Sequence, residues 1–261
     1  MTVLAILCLA ASFLSIWIRR DPKIWGTLAL FSCLFGMIGG NILFSGALFL
    51  LILLLHWVCY YKTLSLALFA MIIAITGAIK LKLLPGYNRL QLTTNFWIGL
   101  EAPLTGLLPL ALFIPVATKR RDWKKVLYGT GVGIVGILLL SLLASFSGVV
   151  TWKPSLIPFI GVRLVVNLLL TAIPEEAFFR GFIQERLYKL VGKTGALILT
   201  SLLFTAAHIY WSPDLATLGF VFLASLLYGF VYIVSKKIES AIITHFLLNV
   251  FHMLFFSYHA I

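Results

Sequence analysis

Three short patterns in the C-terminal half of the chain place residues capable of acid–base chemistry inside otherwise apolar sequence. The first is Pro174-Glu175-Glu176-Ala177-Phe178-Phe179-Arg180-Gly181. The second is Phe204-Thr205-Ala206-Ala207-His208, and the third is His245-Phe246-Leu247-Leu248-Asn249. Ionisable groups at bilayer depth are costly, so they are functional candidates by default. A carboxylate in a pocket of low dielectric is a stronger base toward water than one in solvent. An imidazole beside it can hold the same water. A second imidazole and an asparagine can donate hydrogen bonds to a developing oxyanion. Together these are the parts of an amide hydrolase that uses water as its nucleophile. No serine or cysteine with a suitable partner accompanies them. Arg180 lies four residues after Glu176, the favourable order for an ion pair along a helix, and its expected role is to fix that glutamate.

The elements that must position these groups follow from composition. Of 261 residues, 62% are hydrophobic and 11% charged, and the mean hydropathy is +1.09. A soluble domain is roughly half apolar and about a quarter charged. Disorder, a coiled coil, a collagen-like fibre and an ordinary cytosolic enzyme are therefore excluded. The apolar runs are too continuous for barrel strands, which alternate with period two, and helices alone satisfy the backbone of such runs in lipid. The expected fold class is all-α, a polytopic helical membrane protein. Apolar segments fall at 2–18, 24–38, 42–60, 64–79, 96–117, 126–150, 156–173, 196–210, 215–234 and 241–256. A span needs about 20 residues, so about eight to ten transmembrane helices are expected. Segment 96–117 contains Glu101, Pro103, Pro109 and Pro115, which predicts a broken or re-entrant helix. The first apolar run has no Lys or Arg ahead of it, which suits a first span rather than a cleaved signal peptide.

Charge sets topology. The chain carries 20 basic and 8 acidic residues, a formal charge of +12. In a soluble protein that would suggest nucleic acid. Here the basic residues sit mostly in short loops, where they orient the chain and meet anionic lipid headgroups, and no nucleic-acid partner is expected. Arg19, Arg20, Lys23, Lys62, Lys119, Arg120, Arg121, Lys124, Lys125, Arg180, Arg186, Lys189, Lys193, Lys236 and Lys237 fall in alternate loops and make 15 of the 20. The positive-inside rule puts those loops in the cytoplasm and both termini outside, while Lys80, Lys82 and Arg89 oppose it. Cys8, Cys33 and Cys59 all lie within apolar runs and suit buried small hydrophobes better than disulfides or a metal knot. Acidic groups are scarce before residue 150 and gather after it. The expected organisation is accessory helices over 1–150 and a catalytic helical core over 151–261.

Helix rise brings the candidates to one depth. Residues 156–190 can form one long helix kinked near Pro174, and Gly192, Lys193 and Gly195 form the expected turn. Glu175 lies 18 positions before Lys193 and His208 lies 15 after it. At about 1.5 Å per residue, both stand roughly 22–27 Å from the turn. His245 and Asn249 share a helix face and begin about 12–18 Å beyond Lys237 by the same rise.

The motifs EExxxR, FxxxH and HxxxN, in this order, resemble the CAAX prenyl protease and bacteriocin-processing (CPBP, or Abi) family of intramembrane endopeptidases. The resemblance covers roughly residues 156–258. It implies that Glu175 activates water with His208, that His245 and Asn249 form the oxyanion site, and that Glu176 and Arg180 support them. The family has been described both as metalloproteases and as glutamate-dependent proteases. HExxH spacing is lacking and Asn is an unusual zinc ligand, so a metal-free site with no cofactor is expected, with zinc as the alternative. The implied substrate is a membrane-anchored peptide or protein: a prenylated C-terminus, a peptide precursor or a C-terminal sorting tail. A multi-pass location in a bacterial inner membrane is expected from the compact loops. Two other functions fit parts of the pattern. Intramembrane Glu, His and Arg also build proton-coupled transporters, although no internal repeat is visible. A non-catalytic immunity or chaperone relative of the family would keep the fold without the chemistry.

Some polar residues have simpler readings. His56, His252 and His259 are expected to pack or sit at interfaces. Arg163, Asn167, Thr171 and Glu175 recur every four residues. Arg163 either snorkels to the outer interface or lines a polar channel and holds a substrate carboxylate.

Overall fold

A computed structural model describes residues 1–43, 66–83, 85, 87–93, 96–210 and 214–258. Most of the segment at 42–60, together with Cys59, His56 and His259, lies outside the described residues. The chain is an all-α polytopic helical protein with few and short strands. It divides into two compact units, Met1–Phe113 and Ile114–Ile261.

In the first unit, α1 (Thr2–Ile18) and α2 (Pro22–Ile38) form a helical hairpin. Asp21 caps α2 by accepting from the Lys23 amide at 3.0 Å, and Pro22 occupies the first turn, where its missing N–H costs nothing. Two serines join the arms. Ser12 Oγ donates to the Trp25 carbonyl and Ser32 Oγ to the Ala5 carbonyl, each at 2.8 Å. Such hydroxyl bonds hold helices together where lipid removes the hydrophobic driving force. After α3 (Leu66–Lys80), strands β1 (Leu90–Thr93) and β2 (Phe96–Ile98) pair antiparallel and lead into α4 (Glu101–Leu112). Segment 96–117 is thus broken into a strand and a helix of 12 residues, although the break precedes the prolines and Pro109 lies inside the helix. That helix is about 18 Å long, well short of a hydrocarbon core of about 30 Å. Its last carbonyls are satisfied by Arg20, whose guanidinium donates to Leu110 and Ala111.

Among the described residues, the helices long and apolar enough to cross a bilayer are α5 (Arg120–Phe146), α9 (Leu215–Ser235) and α10 (Ile238–Phe255), all in the second unit. Gly129 and Gly133 of α5 face Ser240 and Thr244 of α10, so small residues spaced four apart meet small residues spaced four apart. A side chain on either glycine would collide with its partner, so the close approach requires glycine there. Short strands β3 (Val150–Trp152) and β4 (Phe256–Tyr258) pair antiparallel beyond the ends of α5 and α10.

The motif-bearing helix runs on from Ile160. It comprises α6 (Ile160–Val166), a π-helical segment π1 (Asn167–Ala172), the single turn α7 (Ile173–Glu176) and a second π segment π2 (Ala177–Gln184). It then enters α8 (Glu185–Ala206), where Gly192 breaks the helix at φ +74°. The expected long helix and its turn are both present, although Gly192 alone makes the turn and Gly195 is helical. Pro174 lacks the N–H that an α-helix would send back four residues. The wider π turns on either side of it replace a simple proline kink.

Candidate active site

Adjacent residues on a helix point about 100° apart. Glu175 and Glu176 therefore reach different neighbours from one turn of backbone. Glu175 faces His208 in the turn just beyond the C-terminal end of α8, with Oε2 4.0 Å from His208 Nε2. Glu176 faces α10, where its Oε1 accepts from His245 Nδ1 at 2.7 Å.

Each imidazole is fixed by its other contacts. His208 Nδ1 lies 2.7 Å from the carbonyl of Phe204, one helical turn earlier. A carbonyl only accepts, so Nδ1 carries the hydrogen and neutral His208 presents a bare Nε2 to Glu175. The Phe204 ring also stacks on His208 at 4.4 Å. His245 stacks on Tyr228 of α9 at 4.6 Å and is only 4% exposed. Its Nδ1 likewise carries the hydrogen, because the carboxylate of Glu176 accepts.

Glu176 and Arg180 are both fully buried and form an ion pair, Nε to Oε2, at 3.1 Å. Burying two charges is costly, and further hydrogen bonds from the guanidinium offset part of that cost. Arg180 Nη2 donates to the Ser225 carbonyl at 2.8 Å and to Ser225 Oγ at 2.9 Å. The guanidinium also lies over the rings of Phe204 and Tyr228, at 4.9 and 5.3 Å. Phe204, Ser225 and Tyr228 thus form a cage for the cation. Sequence reasoning placed Phe204 in a motif but had no signal for Ser225 or Tyr228, because nothing local says which face of α9 turns inward.

Asn249 lies one turn beyond His245 and donates through Nδ2 to Asn167 Oδ1 at 2.9 Å. The sequence marked Asn167 as one of a polar stripe, whereas the structure makes it the group that orients Asn249. The stripe's ideal period of four does not persist, because π1 begins at Asn167 and widens the turn. Arg163 donates through Nε to the nearby Pro158 carbonyl at 3.2 Å. His252 is packed as expected, with Nε2 3.1 Å from Ser141 Oγ on α5. Among the described residues, no three His, Cys, Asp or Glu side chains gather closely enough to ligate one ion.

Residues 157–251 match the family model described as type II CAAX prenyl endopeptidase, Rce1-like. They form an Rce1-like domain. Its span includes Glu175, Glu176, Arg180, His208, His245 and Asn249 and stops before His252. At the level of the family, the Rce1-like domain is that of a CAAX-type intramembrane protease acting on membrane-associated substrates. No curated protein and no solved structure matches the chain.

Proposed function

We propose that the protein hydrolyses a peptide bond of a membrane-associated substrate with a water activated by Glu175 and His208. The observation that carries this reading is the 4.0 Å between Glu175 Oε2 and His208 Nε2. That distance is too long for a direct hydrogen bond, and both facing atoms are acceptors when the imidazole is neutral. A donor with two hydrogens reconciles them. Two hydrogen bonds of about 2.8 Å spanning the gap subtend about 90° at a shared oxygen, close to the angle between the O–H bonds of water. A water held there keeps its lone pairs for a substrate carbonyl carbon.

The reaction then follows from the surrounding groups. Glu175 takes a proton as the water oxygen bonds to the carbonyl carbon. The developing oxyanion accepts hydrogen bonds from Asn249 Nδ2, oriented by Asn167, and from His245 Nε2. An Nε2–H on His245 requires the imidazolium, whose charge the Glu176 carboxylate at 2.7 Å helps to balance. Charge is conserved within the pocket during attack: Glu175 becomes neutral as the carbonyl oxygen becomes negative. Glu175 then gives its proton to the departing amine as the C–N bond breaks. Low dielectric makes such fixed donors more effective than in water.

The substrate class that suits this site is a peptide held at the bilayer by a prenyl group, a membrane-bound precursor segment or a C-terminal sorting tail. The compact loops support a bacterial inner membrane as its location. The test is cleavage of such peptides by the purified protein and by Glu175→Gln, His208→Ala and His245→Ala. Retained activity in all three overturns the assignment. Activity lost to a chelator and restored by zinc would overturn the metal-free mechanism while leaving the protease reading intact.

A further inference from the structure

Three of the basic residues at the start of α5 are gathered on one side. Arg121, Lys124, Lys125 and Tyr128 are spaced i, i+3, i+4 and i+7, so they share a helix face. With Val234, Ser235 and Lys236 at the end of α9, they line a cleft of about 340 Å³. Lys236 ends α9 in the left-handed region at φ +58°, a conformation uncommon for a residue with a side chain, and its amide donates to the Tyr232 carbonyl at 2.9 Å.

Like charges three and four residues apart on a helix repel one another. No carboxylate among the described residues pairs with Arg121, Lys124, Lys125 or Lys236. Asp122 is the nearest acid in sequence, and it is bound to Lys237 at 2.8 Å instead. Glu185 lines an adjoining recess with Tyr188, Lys193 and Lys236. There the two lysine Nζ atoms lie over the Tyr188 ring at 5.9 and 5.8 Å, so this recess is also richer in cations than in acids.

The cleft lies where the chain changes solvent. Residues 119–125 are largely charged, and Val126 opens the long apolar part of α5. Trp123 and Tyr128 are exposed at this level, and Leu127 is 70% exposed on the flank. Aromatic residues at the boundary between charge and a lipid-facing helix mark headgroup depth. An anion that belongs at that depth, with a tail continuing along the apolar helices, is a membrane lipid.

We propose that this cleft binds the phosphate-bearing headgroup of an anionic membrane lipid, through Arg121, Lys124, Lys125 and Lys236. The site does not depend on the chemistry at Glu175. The experiment is binding of phosphatidylglycerol, phosphatidylcholine or inorganic phosphate alone to the purified full chain, measured by native mass spectrometry and by melting temperature. Lys124→Gln/Lys125→Gln/Lys236→Gln is compared with Lys119→Gln/Arg120→Gln/Lys189→Gln, which removes the same charge from exposed positions outside the cleft. The expected result is saturable phosphatidylglycerol binding by the native chain and the control. The cleft variant, folded by its melt, should bind at least about tenfold more weakly, since each basic residue near an anionic surface contributes about fivefold. Equal weakening in the control, non-saturable uptake or equal affinity for phosphatidylcholine would overturn the site. Tight binding of inorganic phosphate without preference for the lipid would overturn the lipid as its ligand.

Discussion

Glu176 holds its imidazole at 2.7 Å while Glu175 stands 4.0 Å from its own, although the two glutamates are adjacent on one turn of helix. The Glu176 region is closed. Its carboxylate is fully buried, accepts from His245 and pairs with Arg180, which is caged by Ser225, Phe204 and Tyr228. The Glu175 region is built the other way: its Oε2 stands 4.0 Å from His208 Nε2, beyond direct hydrogen-bond reach. The same pair of side-chain types therefore serves two purposes, distinguished by where the second hydrogen-bonding atom of each histidine is spent. One pair holds a charge in place, and in the proposed mechanism the other shares a water.

The largest effect that can test this contrast is on turnover. Glu175→Gln should lower kcat by about 10³-fold, in the middle of the range for loss of a general base, with the melting temperature unchanged. Steady-state cleavage beside a thermal melt checks both halves. A slow but unstable variant would place Glu175 with the structural pair. Glu176→Gln should instead show itself first in stability. Removing one partner of a buried ion pair strands the other, at a cost of about 3–5 kcal/mol. Detergent melts of Glu176→Gln and Arg180→Gln should fall together. Full stability with lost activity would make balancing the His245 imidazolium, rather than holding Arg180, the main role of Glu176.

Smaller effects sharpen the third corner of the site. Asn249→Ala should lower kcat by about 10²-fold, as for loss of an oxyanion donor. Asn167→Ala leaves that donor in place but unoriented, so its effect should be smaller, about tenfold and confined to kcat. In the double variant the two losses should fail to multiply, because both act through one amide. Multiplying losses would show that Asn167 acts independently of Asn249.

What the sequence could reveal depends on how local each feature is. The Glu176–Arg180 pair is one helical turn apart, and Gly192 is the sort of residue a turn needs, so both were legible. Hydrophobic runs exposed α1, α2 and the long helices of the second unit, and the break in 96–117 was expected although it falls before the prolines that suggested it. The π segments left no such mark. They alter hydrogen-bond register without altering composition, and they change which residues share a face around Asn167. Ser225 and Tyr228 were invisible for a different reason. Each is an ordinary residue of an apolar helix until Arg180, 45 residues earlier, is found against it. The candidate residues were written in motifs, whereas the scaffold around them is written in tertiary contacts.

Arg163 tests where the site ends. The every-fourth-residue stripe from Arg163 to Glu175 offered it as a holder of a substrate carboxylate, yet its Nε donates to the Pro158 carbonyl at the N-terminal end of the helix. An arginine that ties down its own loop can be replaced by glutamine with little consequence for binding, because the carboxamide still donates there. Arg163→Gln should therefore change both KM and kcat by less than about twofold, the scale of a surface substitution. A rise in KM with kcat intact, for substrates with a free C-terminal carboxylate but not for their amides, would instead extend the site outward to Arg163. It would also make the polar stripe a path for the substrate rather than a loop anchor followed by a widened turn.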